Sequence, residues 1–142
     1  MNEFGLVFDH LGLAVRAPDY ALKFLLAGGY SASPPIYDSE QNVNLIMCSS
    51  LEMPNVEIIF PGSGEGPIDN ILSKIDAGMY HMCFRAEDPQ ASVERMSSQG
   101  LRVFCLVEPK PAVLFGGSNV SFYNVAGFGV IELIEGLCDR VQ

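Results

Sequence analysis

Large apolar side chains alternate with small or polar ones along the segment Phe8–Val15, which is the two-residue period of a strand packed on one face. The aliphatic positions of this strand are Leu11, Leu13 and Val15. Pro18 then fits the first position of a helix, where its missing N–H costs nothing, and Gly29 fits the C-cap of that helix. The apolar residues of the helix recur on one side, at Leu22, Leu25 and Leu26. The pattern therefore predicts a strand followed by an amphipathic helix that lies on a sheet.

The same signals return 71 residues further along the chain. The matched pairs are His10 with His81, Pro18 with Pro89, and Gly29 with Gly100. Asp88 precedes the second helix as a favourable N-cap, and Val93 and Met96 lie on its apolar side. The unit of one strand and one helix is thus repeated.

Three strand-like segments follow each helix, separated by turn-forming residues such as Pro34-Pro35. They are about Tyr30–Tyr37, Val43–Cys48 and Val56–Pro61 in the first half, and about Leu101–Val107, Asn119–Tyr123 and Gly129–Ile134 in the second. A glycine-rich loop and a short helix from Pro67 link the halves. We therefore predict an α+β fold of two β-α-β-β-β repeats with their sheets joined into a curved half-barrel cleft.

The predicted repeats define the domain organisation. Residues 1–142 would form a single domain, with repeat one at about 6–61, the linker helix at about 62–77 and repeat two at about 78–136. The length of 142 residues is within the usual range for one domain with its own core.

Composition and charge exclude several classes of partner. The chain is 49% hydrophobic and 18% charged, which is typical of a globular protein, and its net charge of −9 repels nucleic acid and anionic lipid. It has no signal-peptide pattern and no apolar run long enough to span a membrane, so we expect a cytoplasmic protein. Cys48, Cys83, Cys105 and Cys138 lack metal-ribbon spacing and are expected to be reduced packing residues.

Four residues carry candidate chemistry. His10 and His81 are the only histidines, and strand parity points both away from the helix-facing side of equivalent strands. Glu57 and Glu132 are carboxylates inside the apolar last strand of each repeat, 47 residues after His10 and 51 after His81 respectively. A carboxylate buried in such a strand is costly unless its charge is compensated. Two imidazoles and two carboxylates suit Ni²⁺, Co²⁺, Zn²⁺ or Mn²⁺, so the sequence predicts that these four residues bind one divalent metal.

Each of these residues, taken singly, has an ordinary structural explanation. A strand histidine is most often a core residue with its hydrogen bonds satisfied, and a strand glutamate most often faces solvent. The matched spacing and parity in both repeats favour one duplicated site over four coincidences. Glu135 has the opposite parity to Glu132 and is expected to face solvent or lie at a rim.

The runs Asp9–Val15, Tyr80–Phe84 and Val130–Glu135 resemble the vicinal oxygen chelate superfamily. Further local features, at residues 40–43, 60–68 and 108–110, are similar to its methylmalonyl-CoA epimerase and glyoxalase I-like branch. The resemblance implies metal ligands at the four residues above. It also implies an isomerase or lyase in which a metal stabilises an enediolate while Glu132 moves a proton α to a carbonyl. The implied substrates are a thioester, a hemithioacetal or an α-hydroxy carbonyl compound.

The chain departs from this branch at one position. Some bacterial epimerases carry a second catalytic glutamate where this sequence has Leu45. The resemblance therefore favours isomerisation by a single base over two opposed bases. We count Leu45, together with Phe115, Gly116 and Gly117, as candidate substrate-binding residues, although the loop Pro109–Ser118 is equally consistent with an ordinary turn.

Two other functions stay open at this point. One is a non-haem iron dioxygenase, against which the fourth ligand Glu57 counts, because that iron site needs open positions. The other is a non-catalytic protein that sequesters a drug or metabolite, against which the retained metal set counts. By resemblance, the chain is also expected to form a homodimer.

Overall fold

The computed structural model describes residues 2–137, so Cys138 lies outside the described residues. It divides into two compact units. The first unit is His10–Tyr80, and the second consists of the described parts of Met1–Asp9 and His81–Gln142. None of the helices in the described range is long and apolar enough to cross a membrane.

The second repeat has the predicted β-α-β-β-β order and the first has the same order with its second strand divided in two, which confirms the predicted α+β fold class. The elements of the first repeat are β1 (Leu6–Ala14), α1 (Asp19–Ala27), β2 (Ser31–Ala32), β3 (Ile36–Asp38), β4 (Val43–Ser49) and β5 (Asn55–Pro61), followed by α2 (Pro67–Ile75). Those of the second are β6 (Gly78–Ala86), α3 (Pro89–Ser98), β7 (Val103–Pro111), a 3₁₀ turn (Val113–Phe115), β8 (Asn119–Val125) and β9 (Gly129–Glu135).

The strands of the two units pair in the same way. In the first unit β5 is parallel to β1 and antiparallel to β4. In the second unit β9 is parallel to β6 and antiparallel to β8. In each repeat the last strand therefore lies between the first strand and its antiparallel neighbour, which sets the position of the last-strand glutamate.

Two predicted segments were wrong in their bounds. The single strand expected at Tyr30–Tyr37 is two short strands, β2 and β3, because Pro34 and Pro35 have no N–H to continue a strand ladder. The strand expected at Leu101–Val107 starts at Val103 and continues to Pro111. It pairs with β8 through two register shifts, and the first residues of the predicted loop Pro109–Ser118 therefore belong to β7.

The helices cover one face of each sheet, as the apolar pattern predicts. In the first unit, Leu25 of α1 packs in a buried cluster with Ile46 and Ile58, and Leu13 packs against this cluster. In the second unit, Met96 of α3 packs with Ile131 and Leu133, and Phe84 packs against that cluster. Burial of each large aliphatic side chain contributes about 1.5–3 kcal/mol to stability. The apolar strand residues of these clusters lie on the strand face that packs against the helices. Because successive side chains of a strand point to opposite faces, His10 and His81 lie on the other face.

The helices α1 and α3 end in the same hydrogen-bonded motif. Gly29 and Gly100 follow the C-caps with φ of 95° and 85°. The N–H of Tyr30 donates to Leu25 O at 3.0 Å. The N–H of Leu101 donates to Met96 O at 3.2 Å. These are Schellman motifs, which need a residue that tolerates positive φ.

Replacement of Gly100 by alanine is expected to lower the free energy of unfolding by about 1–2 kcal/mol. No atom lies within 4 Å of a Cβ built at Gly100, so the loss would come from backbone strain alone. Gln99→Ala is the matched control, because Gln99 has an ordinary φ of −84°. Denaturant unfolding of both variants measures the difference, and equal stabilities would contradict this account of the helix end.

Candidate metal centre

The first unit holds His10 and Glu57 as a buried pair. Gly12 of β1 lies opposite Glu57 of β5, so Glu57 stands two positions along the strand from His10 on the same face. His10 Nε2 is 3.7 Å from Glu57 Oε2, and the two side chains are 0% and 4% exposed.

The second unit repeats this arrangement with His81 and Glu132. Cys83 of β6 lies opposite Glu132 of β9, again two positions beyond the histidine. His81 Nε2 is 3.8 Å from Glu132 Oε2, with side-chain exposures of 0% and 4%. The duplication seen in the sequence therefore extends to the register, spacing and burial of each histidine–glutamate pair.

The donor atoms of each pair fit a divalent metal. Separations of 3.7 and 3.8 Å exceed the length of a hydrogen bond. They lie within the roughly 4.2 Å that can separate two atoms bound to one ion at about 2.1 Å each. Imidazole nitrogen and carboxylate oxygen are ligands of Zn²⁺ and its neighbours in the first transition row. Each pair thus supplies two chemically suitable donors.

Two neighbours of the second pair were missed by the sequence reasoning. The thiol of Cys83 donates a hydrogen bond to Glu132 Oε1 at 3.1 Å. The ring of Phe122, which lies opposite Glu132 on β8, contacts the His81 ring edge-on with centroids 5.4 Å apart. Cys83 shares the parity of His81 two residues away, and this signal could have identified it.

The candidate substrate-binding loop is an ordered turn. Phe115 N and Gly117 N both donate to Ala112 O, and Gly116 and Gly117 have φ of 65° and 85°. The Phe115 ring lies 5.7 Å from the guanidinium of Arg85. Arg85 Nε donates in turn to Asp9 Oδ1 at 2.8 Å, so the guanidinium is held on two sides.

Leu45 lies in the first unit on the same strand face as Glu57. It belongs to β4, two positions from Met47, which is the residue opposite Glu57. It is buried and is paired in register with Ile36 and Ile59. At the position where the resemblance puts a second carboxylate, this chain therefore has an apolar side chain whose two partners in the sheet are also apolar.

The repeated fold and the duplicated pair define a class of protein. The model of the Glyoxalase/Bleomycin resistance protein/Dioxygenase superfamily matches residues 9–122, and the chain belongs to this superfamily. The assignment made from the sequence to the vicinal oxygen chelate superfamily is thereby confirmed, and two similar proteins support its epimerase branch.

The particular relatives are epimerases. The chain is 30% identical to the ethylmalonyl-CoA/methylmalonyl-CoA epimerase of Cereibacter sphaeroides over 108 residues, which are 72% of this chain and 77% of that protein. It is 26% identical to the mitochondrial methylmalonyl-CoA epimerase of Dictyostelium discoideum over 109 residues, which are 75% of this chain but only 63% of that protein. The crystal structure of methylmalonyl-CoA epimerase from Mycobacterium tuberculosis has the same fold, with a TM-score of 0.72 and 23% identity over 94% of this chain and 88% of that one.

Proposed function

We propose that this chain is a divalent-metal-dependent isomerase or lyase that moves a proton α to a carbonyl, with His10, Glu57, His81 and Glu132 binding one metal ion and Glu132 acting as the base. The observation that carries the proposal is the buried histidine–glutamate pair, repeated with the same register and separation in each unit. The kinship with acyl-CoA epimerases supports it.

Charge is the first support for the metal. Glu57 and Glu132 are both almost fully buried, and an isolated buried carboxylate is costly. One divalent cation would neutralise the two carboxylates together. The two neutral imidazoles would complete a set of four ligands and leave positions for substrate oxygens on Ni²⁺, Co²⁺, Zn²⁺ or Mn²⁺.

The chain's own residues supply the proton transfer. A bound divalent metal would act as a Lewis acid that favours negative charge on a carbonyl oxygen. Glu132 accepts the proton of the substrate Cα–H bond while the electron pair of that bond moves toward the carbonyl oxygen. Delivery of this proton from Glu132 to the adjacent carbon completes the isomerisation, whereas its return to the same carbon on the same side only allows exchange with solvent. The burial of Glu132 excludes bulk water from this carboxylate, which strengthens its interactions.

Leu45 sets the expected stereochemistry. Its side chain has no proton to give or accept, so the chain would use one carboxylate on one side of the substrate carbon. Exchange of the α-proton with solvent should then be faster for one epimer than for the other, and faster than inversion. Leu45, Phe115, Gly116 and Gly117 are proposed to contact the substrate, which the relatives suggest is an acyl-CoA thioester.

The proposal is tested with purified protein loaded with each candidate metal. Each epimer of methylmalonyl-CoA is incubated in D₂O, and the α-proton signal is followed by NMR. We expect its loss to require bound metal, to stop after chelation and to resume when metal is restored. The hemithioacetal of methylglyoxal and glutathione is run in parallel as the substrate of a glyoxalase-type lyase.

Each other outcome selects a different function. Bound metal with no reaction of either substrate would support sequestration of a small molecule and overturn the catalytic proposal. Bound iron with oxygen consumption would support a dioxygenase. The homodimer and the cytoplasmic location both stay predictions. Sedimentation of the purified chain would test the homodimer.

A further inference from the structure

The two oxygens of the Glu132 carboxylate have different neighbours. Oε1 accepts a hydrogen bond from the thiol of Cys83 at 3.1 Å, whereas Oε2 lies 3.8 Å from His81 Nε2. Cys83 is fully buried and lies directly opposite Glu132 in the β6–β9 register. The thiol therefore distinguishes one carboxylate oxygen from the other.

The first unit differs from the second at the residue opposite its glutamate. Gly12 occupies the position opposite Glu57 that Cys83 occupies opposite Glu132. A glycine offers no side-chain donor. The duplication of the histidine–glutamate pair therefore does not extend to the residue opposite each glutamate. The other buried side chains of the cluster around Cys83 are all apolar: Ala112, Val120, Phe122 and Ile134.

We infer that Cys83 is a positioning residue for Glu132: its S–H holds Oε1 and leaves Oε2 as the oxygen that meets the metal. This inference rests on the proposed function. A glutamate without such a donor can rotate and can present either oxygen or both, and ordering it costs side-chain entropy. A hydrogen bond placed behind a metal ligand removes that freedom before the metal binds, and such partners typically contribute 10–100-fold to metal affinity.

The size of the effect follows from the chemistry of the donor. A thiol is a weak donor, but a negatively charged acceptor in a buried environment strengthens the bond. We therefore expect Cys83→Ala to weaken metal binding by about tenfold, the low end of the range for such partners. Cys83→Ser keeps an O–H donor and should restore most of the affinity.

Cys48→Ala is the matched control. Cys48 is also fully buried, and it packs with Val56 and Ile58 in the core of the first unit. Burial raises the pKa of the Cys48 thiol, so it is neutral at pH 7 as a packing residue would be. Both alanine variants remove the same side chain from a core, and only one of them removes the donor to Glu132.

The experiment titrates metal-free wild type, Cys83→Ala, Cys83→Ser and Cys48→Ala with Co²⁺ or Zn²⁺ in competition with a chelator. Thermal unfolding of the metal-free forms is measured beside it. We expect similar losses of stability in the two alanine variants, but loss of metal affinity in Cys83→Ala alone. If Cys83→Ala does not fold, Cys83→Val, which fills the site without a donor, takes its place.

Four results would overturn a specific statement. Equal affinities of the Cys83→Ala and wild-type proteins would remove the positioning role and leave the proposed function intact. Equal weakening by alanine and serine would assign the effect to side-chain volume or sulfur chemistry rather than to the donor. A thiolate-to-cobalt charge-transfer band in the wild type that is absent from Cys83→Ala would make Cys83 a ligand. A wild-type protein that binds no metal would overturn the proposed function itself.

Discussion

Replacement of Glu132 by glutamine is expected to slow α-proton exchange by about 10²–10⁴-fold at saturating metal. Glutamine has nearly the same shape, but its amide cannot accept the proton that a carboxylate takes. Its amide oxygen is also a weaker ligand, so metal must be added until binding is complete before the rates are compared. The measurement is the rate of deuterium incorporation per metal-loaded protein.

Glu57→Gln is the matched control for this prediction. Glu57 has the same burial as Glu132 and lies at nearly the same distance from its histidine, but we assign it no proton transfer. Glu57→Gln should therefore weaken metal binding yet keep most of the exchange rate once metal is saturating. Equal losses in the two variants would contradict the assignment of Glu132 as the only base.

Replacement of either histidine by alanine is expected to lower metal affinity by roughly 100-fold or more. Structural sites with four protein ligands bind Zn²⁺ with about 10–16 kcal/mol, so one ligand accounts for about 3 kcal/mol. Because His10 and His81 belong to different repeats, a single shared ion requires both variants to lose the same metal. Elemental analysis should give about one metal per wild-type chain and much less for His10→Ala and for His81→Ala.

Glu135→Gln serves as the control for this second prediction. Glu135 is exposed, has the opposite parity to Glu132 and accepts a hydrogen bond from Asn119 Nδ2 at 3.0 Å. The metal content of the Glu135→Gln variant should match that of the wild type. Two metals per chain, each lost with only one of the histidines, would mean that the pairs act separately. Retention of metal by both histidine variants would exclude the proposed ligands.

Some elements of the fold can be predicted from the sequence, and others cannot. The helix ends near Gly29 and Gly100 are predicted to within one residue, because a residue with positive φ is needed directly after each C-cap and the signal is local. The prediction of a single strand at Tyr30–Tyr37 was wrong, because Pro34 and Pro35 interrupt the backbone hydrogen bonds of the strand despite its apolar composition. The extension of β7 to Pro111 was not predictable, because its pairing with β8 passes through register shifts that no local pattern encodes.

Candidate site residues follow the same rule. His10 and His81 could be assigned to the face away from the helices, because strand parity is fixed by a period of two. Glu57 and Glu132 lie on that same face through the register of β5 on β1 and of β9 on β6. The contact between the Cys83 thiol and Glu132 Oε1 joins residues 49 positions apart and depends on the register of β6 against β9. That register is set by how the whole second unit packs.

A further example lies in the first unit at Asn42, which has φ of 52°. Its side-chain amide donates to the carbonyls of Ser63 and Glu65 and accepts from the Tyr37 hydroxyl. These residues lie in segments that are distant in the sequence, and only the folded chain brings the segments together.

The sequence by itself determined the duplication, the α+β class, the faces of the strands and the four candidate ligands. Each of these depends on periodicity, spacing or the conformational preference of single residues, which are properties of short segments. The tertiary structure alone decided the distances within each histidine–glutamate pair and which oxygen of Glu132 meets the Cys83 thiol. These depend on strand register and side-chain packing between distant segments, and such cooperative properties cannot be read from local pattern.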